Sequence, residues 1–184
     1  MADTMTGACN CGAVTYSVKS ESVLTYVCHC GNSQKRSGSA FDMGMFIQVD
    51  DLTVEGDLTC WGRVSDTGRT NPRYSCATCG NVICGLGDYT PGFAKLMPTT
   101  LQDTRDIRPD VYIWVGSAQG WVTVPEDALQ YDEQPTDIDE LLRLVAENRA
   151  KAAEKATCTG CCADRRHRQF ASNEEETPWP AFPS

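Results

Sequence analysis

The chain has 184 residues, a formal net charge of −9 and 11 cysteines. That length fits one domain with an appendage, and an apolar fraction of 41% supplies a core that 15 Gly and 9 Pro divide into short pieces. The negative charge excludes a surface built to neutralise phosphates, so neither nucleic acid nor an anionic membrane is expected as a partner. No apolar run approaches the roughly 18–20 residues that span a bilayer. The segment 1–6 carries neither a basic flank nor a hydrophobic stretch, so a cytoplasmic location is expected.

In chain order, β-branched and aromatic residues predict strands at 13–18 and 23–28, separated by a polar turn. Similar runs at 43–49, 52–54, 58–61, 81–84 and 111–115 are divided by Gly, Asp, Asn and Pro, which makes the pattern mainly β. At Thr136 the pattern changes. Thr-Asp-Ile-Asp offers a capping side chain and acidic first-turn residues, and Ile138, Leu141, Leu142 and Val145 recur at helical spacing. A helix over 137–156 is expected to lay that stripe on the β domain and to take no part in chemistry. The division that follows is a β domain over 1–135, a helix over 136–157 and a cysteine-containing tail over 158–184.

An odd number of cysteines at short spacings points to reduced thiols that bind metal rather than to a disulfide framework. Cys76-Ala77-Thr78-Cys79-Gly80 is a C-x-x-C-G knuckle, whose tight turn lets two thiolates converge on one ion. Structural zinc takes four ligands, so a second pair is required, and either Cys9-Asn10-Cys11 or Cys28-His29-Cys30 serves on spacing alone. Cys60 and Cys84 each sit singly in an apolar strand and are expected as buried apolar residues. Cys158, Cys161, Cys162 and His167 have zinc-like spacing but follow a charged helix, and are expected to be a tail with exposed thiols.

Gly7-Ala8-Cys9-Asn10-Cys11-Gly12-Ala13-Val14-Thr15-Tyr16, Cys28-His29-Cys30 with Gly38-Ser39-Ala40-Phe41, and Tyr74-Ser75-Cys76-Ala77-Thr78-Cys79-Gly80 together resemble the glutathione-dependent formaldehyde-activating enzyme family, also called the CENP-V/GFA domain. Leu101, Asp103, Tyr112-Ile113-Trp114-Val115 and Trp121 fit as well, so the resemblance spans about residues 5–135. It implies a mainly β, Mss4-like fold stapled by zinc, with a structural site at Cys9, Cys11, Cys76 and Cys79. It also implies a catalytic zinc position in a C-x-C-x-x-C motif, carried onto Cys28, Cys30 and position 33, and carbon-sulfur lyase or synthase chemistry on a glutathione-aldehyde type of adduct.

At position 33 this chain has serine where the family motif has cysteine. A hydroxyl stays protonated near neutral pH and is a weak zinc ligand, which leaves Cys28 and Cys30 as the strong donors there. Cys28, Cys30 and Ser33 are the candidate catalytic residues, acting either around a second zinc or directly as thiols. Two alternatives keep the fold. One is an enzyme that tailors another small molecule, and the other is a non-catalytic, zinc-stapled interaction module. His29 alternates with the two cysteines and is expected on the opposite face in a structural role. Lys35 and Arg36 could meet an anionic substrate carboxylate, but are expected in a solvated loop.

Overall fold

The computed structural model describes residues 4–159 apart from 20, 63, 65–67 and 89. Among them the chain forms β1 (Met5–Ala8), β2 (Thr15–Val18), β3 (Leu24–Cys28), α1 (Gly31–Ser37), β4 (Asp42–Gln48), β5 (Leu52–Glu55) and β6 (Leu58–Trp61). Then come β7 (Arg73–Cys76), β8 (Val82–Leu86), β9 (Phe93–Leu96), β10 (Val111–Ile113), β11 (Leu129–Tyr131) and α2 (Ile138–Thr159). The fold is mainly β with a C-terminal helix.

The strands make two sheets. A three-stranded sheet has the order β1-β2-β5, and an eight-stranded sheet runs β11-β10-β3-β4-β9-β8-β7-β6. The larger sheet is antiparallel except where β10 runs parallel to both β3 and β11. Its two faces bury different clusters. On one, Met45, Ile47, Ala94 and Leu96 pack with Val14 and with Tyr16 and Val18 of the small sheet. On the other, Leu24, Cys28, Val111 and Ile113 pack with Leu141 and Val145 of α2. Alternation along a strand produces this division, because residues two apart share a face. The apolar stripe at the start of α2 belongs to the same compact unit as the sheets, which extends to Asn148.

Strands β1, β7, β9 and β11 and helix α1 have no counterpart in the periodicity of the sequence. Each of these strands has only 3 or 4 residues. Met-Thr-Gly-Ala, Arg-Tyr-Ser-Cys and Phe-Ala-Lys-Leu become strands because neighbours pair with them, so tertiary context outweighs propensity. Helix α1 is held by its caps. Cys30 Sγ accepts from the Ser33 N–H, and Gly38 closes the C-terminus with a left-handed φ of 64°. The run expected at 111–115 stops at Ile113, because Trp114 turns left-handed at φ 59° and a 3-10 turn follows over Val115–Ser117. Asp137, not Thr136, caps α2, its Oδ1 accepting from the Glu140 N–H at 2.9 Å.

Cys84 is buried, as expected, but Cys60 is exposed. β6 is the edge of the large sheet, and Cys60 lies on its open side, so an apolar neighbourhood in sequence gives no burial there. The side chain of Cys158, and Cys161, Cys162 and His167, lie outside the described residues. Among the described residues no helix is long and apolar enough to cross a membrane.

Candidate metal centre and thiol pocket

Two tight turns of similar design bring four sulfurs together. After β1, the Gly12 N–H donates to the Cys9 carbonyl at 3.0 Å. After β7, the Gly80 N–H donates to the Cys76 carbonyl at 2.9 Å. Both glycines are left-handed, at φ 75° and 73°, a conformation that a side chain would strain. The Asn10 N–H donates to Asn81 Oδ1 at 3.2 Å and ties one turn to the other.

The Sγ atoms of Cys9, Cys11, Cys76 and Cys79 lie within 4.8 Å of one another. Cys9 and Cys11 are 3.4 Å apart, and Cys11 and Cys76 3.8 Å. A tetrahedral zinc with sulfurs at about 2.3 Å requires sulfur–sulfur edges of about 3.8 Å, so the donor set fits such an ion. Backbone amides help to carry the charge, with the Val14 N–H donating to Cys9 Sγ at 3.2 Å and the Thr78 N–H to Cys76 Sγ at 3.4 Å. Burial pulls the Cys9 pKa up, but the Val14 N–H and the Cys11 and Cys76 thiols together bring it down to about 6. The Asn81 N–H leads in lowering Cys79. Cys11 is raised by Cys9 and Cys79 against the Ala13 N–H. Such thiols share protons and all ionise together only around a cation.

The second group stands on the α2-facing side of the large sheet. Leu24, Tyr26 and Cys28 alternate onto this face of β3, opposite Phe46, Gly44 and Asp42 of β4. A Cβ at Gly44 would come within 2.5 Å of Tyr26 Cζ, so glycine there lets the Tyr26 ring lie across β4. With Val111, Ile113 and Trp114 as one wall and Pro135, Ile138 and Leu141 as another, they enclose a cavity of about 440 Å³. Ile138 and Leu141 of α2 form part of its wall. A helix that buries an apolar stripe on a sheet also shapes whatever that face holds.

Cys28, Cys30 and Ser33 line this cavity. Cys30 Sγ lies 3.4 Å from both the N–H and the Oγ of Ser33. The Cys28 thiol is the largest influence lowering Cys30, to about 5, with Ser33 adding to it against burial. Cys28 is raised, first by its hydrogen bond to Cys30 and then by burial. Of the two, Cys30 is therefore the thiol held toward its ionised form. Among the described residues no third His, Cys, Asp or Glu joins them in a cluster like that of the four cysteines. His29 is fully buried, with its ring edge-on to Phe41 at 5.5 Å and stacked on Tyr112 at 6.3 Å. Burial lowers its pKa, with the Ala40 backbone acting in the other direction.

Arg36 is not in a solvated loop. It lies on α1, lines the cavity and pairs with the buried carboxylate of Asp42, because the cap at Cys30 turns the following residues into a helix over the sheet. Arg73 and Lys95, both buried, also reach this cavity. Sequence reasoning did not single them out. The available signal was a charge inside a short apolar run, Phe-Ala-Lys-Leu for Lys95, where a lysine that finds no exit to solvent faces an interior site. Asp103, by contrast, is exposed and pairs with Arg105 at 2.7 Å.

The chain is thus a mainly β domain with a four-thiolate cluster that fits a metal ion and a pocket that holds a thiol pair. It belongs to the glutathione-dependent formaldehyde-activating enzyme family, whose model matches residues 4–117. Trp121 lies past that match. A solved crystal structure of a Rhodobacter sphaeroides protein is similar at 22% identity and a TM-score of 0.45, covering 55% of this chain and 92% of that one. No curated protein matches the chain.

Proposed function

We propose that the protein makes or breaks a carbon-sulfur bond in a small thiol adduct, with glutathione or a related thiol as one partner. The observation that carries this reading is the Cys28–Cys30 thiol pair beside Ser33, facing a cavity in a chain of this family. Cys9, Cys11, Cys76 and Cys79 would hold zinc, which supplies a cross-link between the β1–β2 and β7–β8 turns. Cys28 and Cys30 do not fit a second zinc. Two thiols and the neutral Ser33 hydroxyl fall one strong donor short of the three protein ligands of a catalytic site.

Addition of a thiol R–SH to an aldehyde R′–CHO gives R–S–CH(OH)–R′. The carbon-sulfur bond forms while the thiol proton is replaced by one on the former carbonyl oxygen. The Cys28–Cys30 pair accepts the proton of the incoming thiol and returns it to the oxygen that becomes negative. The reverse order of steps breaks the adduct. Such chemistry needs reduced cysteines, which suits a reducing compartment such as the cytoplasm. The test is exchange spectroscopy with 13C-labelled formaldehyde and glutathione. The protein should speed exchange between aldehyde and adduct, and Cys30→Ser should abolish the gain. Equal exchange rates with and without protein would overturn the reading.

A second reading rests on the apolar walls, Leu24, Phe46, Val111, Trp114, Ile138 and Leu141. They suit an adduct with a larger apolar body than the single carbon of formaldehyde, and so an enzyme that tailors another small molecule. Comparing formaldehyde with a longer aliphatic aldehyde in the same exchange experiment separates the two.

A further inference from the structure

We propose that Lys95 and Arg73, assisted by Arg36, form a subsite in the thiol pocket for an oxyanion of the substrate, a carboxylate or a phosphate. This deepens the carbon-sulfur reading by naming what the adduct must carry.

Sheet register builds the subsite. Arg73 of β7 stands opposite Gly85 of β8, Gly85 opposite Lys95 of β9, Lys95 opposite Phe46 of β4, and Phe46 opposite Leu24 of β3. These five positions form one rung across five strands, so their side chains share the face that lines the cavity. Gly85 is the gap in the rung. A Cβ there would come within 2.9 Å of Arg73 Cδ and 3.2 Å of its Nε, so the absent side chain is what admits the arginine between the strands.

The charges on this face do not balance. Asp42 is shared by two guanidinium groups. Arg36 donates to it from Nε at 3.1 Å and pairs through Nη2, and Arg73 reaches it only at 3.5 Å. The side chain of Arg73 is 6% exposed, and its Nε has no hydrogen-bond partner among the described residues. Lys95 is 9% exposed. Its Nζ lies 5.9 Å from the centroid of the Phe46 ring, and no carboxylate among the described residues pairs with it. Arg36, Arg73 and Lys95 therefore stand against one carboxylate and the Cys28–Cys30 thiols inside a chain whose net charge is −9. Buried charge is tolerated where it is paired, and an unpaired donor in a cavity is aimed at something that enters it. Burial, then Arg73 and Arg36, pull the Lys95 pKa down to about 8, which is the same deficit seen from the lysine side. An oxyanion placed between Lys95 Nζ and the free edge of Arg73 removes it.

The experiment is calorimetric binding of S-methylglutathione, which has both carboxylates and no reactive thiol, against its diethyl ester, with glutarate and inorganic phosphate as sulfur-free probes. The acid should bind at least tenfold more tightly than the ester. Lys95→Met should remove that difference and leave ester binding unchanged. Equal binding of acid and ester by the wild-type protein overturns the proposal without recourse to any variant. So does loss of acid and ester binding alike in Lys95→Met, or the absence of Lys95-dependent binding by every anion. Preference between glutarate and phosphate identifies the kind of oxyanion. If glutarate binds through Lys95 while Cys30→Ser leaves aldehyde exchange unaltered, the subsite stands and the carbon-sulfur reading falls. If exchange depends on Cys30 but acid and ester bind alike, the reverse holds.

Discussion

Replacing Ser33 by cysteine tests how many metal ions the protein holds and why. Ser33 is 4% exposed, and its Oγ stands 3.4 Å from Cys30 Sγ, close to the edge of about 3.8 Å between sulfurs on a tetrahedral zinc. The introduced thiol needs no backbone movement to join Cys28 and Cys30, and Arg36 Nη2, 3.4 Å from Ser33 Oγ, favours its ionised form. Structural four-ligand zinc sites bind with roughly 10–16 kcal/mol, or about 2.5–4 kcal/mol per ligand, so a third thiolate should raise affinity at this position by about 10² to 10³. Native mass spectrometry of protein purified with zinc should show one equivalent in the wild type and two in Ser33→Cys. Adding Cys28→Ser should return the count to one. A variant that still holds one ion would refute the geometric argument, and a wild type that holds two would refute the donor count.

Stripping the metal from Cys9, Cys11, Cys76 and Cys79 with a chelator should unfold the β unit, read by near-UV circular dichroism; unchanged spectra after complete removal would sink the staple. Cys30, lowered to about 5, should be alkylated by iodoacetamide at pH 6.5 far faster than Cys84, which burial pushes up to about 11. Equal rates at the two positions count against the thiolate assignment. Lys95→Met should stabilise the ligand-free protein at pH 7 by on the order of 2 kcal/mol. The native pKa of about 8 lies below the unfolded value, so the penalty is complete below pH 8 and is released as pH rises toward about 10. Urea denaturation at pH 7 and pH 10 should show that gain shrinking, and a gain independent of pH would point to packing instead.

The four-thiolate cluster is legible in the sequence to the extent that its turns are local. C-x-C-G and C-x-x-C-G each announce a pair of convergent ligands and the glycine that permits the turn. Spacing alone did not say which C-x-C pair meets the knuckle, since that depends on β1 and β7 lying close, and both strands are too short and polar to show a period. The pocket was legible only at Cys28, Cys30 and Ser33. Arg73 and Lys95 are 22 residues apart in the chain and meet because β7, β8 and β9 pair in one register, with Gly85 between them. Likewise Asp42 acts through its position opposite Cys28, and Ile138 through the docking of α2. Pairing register is a long-range property, and a single chain of letters records it only where hydrophobic alternation is strong.

Strand β7 joins the pocket to the cysteine cluster. It begins at Arg73 in the pocket and ends at Cys76 in the cluster, within 4 residues. The pocket carries features that cost stability: a buried, unpaired lysine, a guanidinium with an unpartnered Nε, and Trp114 in a left-handed conformation, each worth on the order of 1–3 kcal/mol. A fold built from strands of 3 to 7 residues has little surplus from which to offset them. A metal ion held at the other end of the same strand, worth roughly 10 kcal/mol as a cross-link, would supply that surplus. The cluster would then matter to the pocket without touching a substrate, by letting β7 hold Arg73 in place, where packing alone favours letting the charge escape to water.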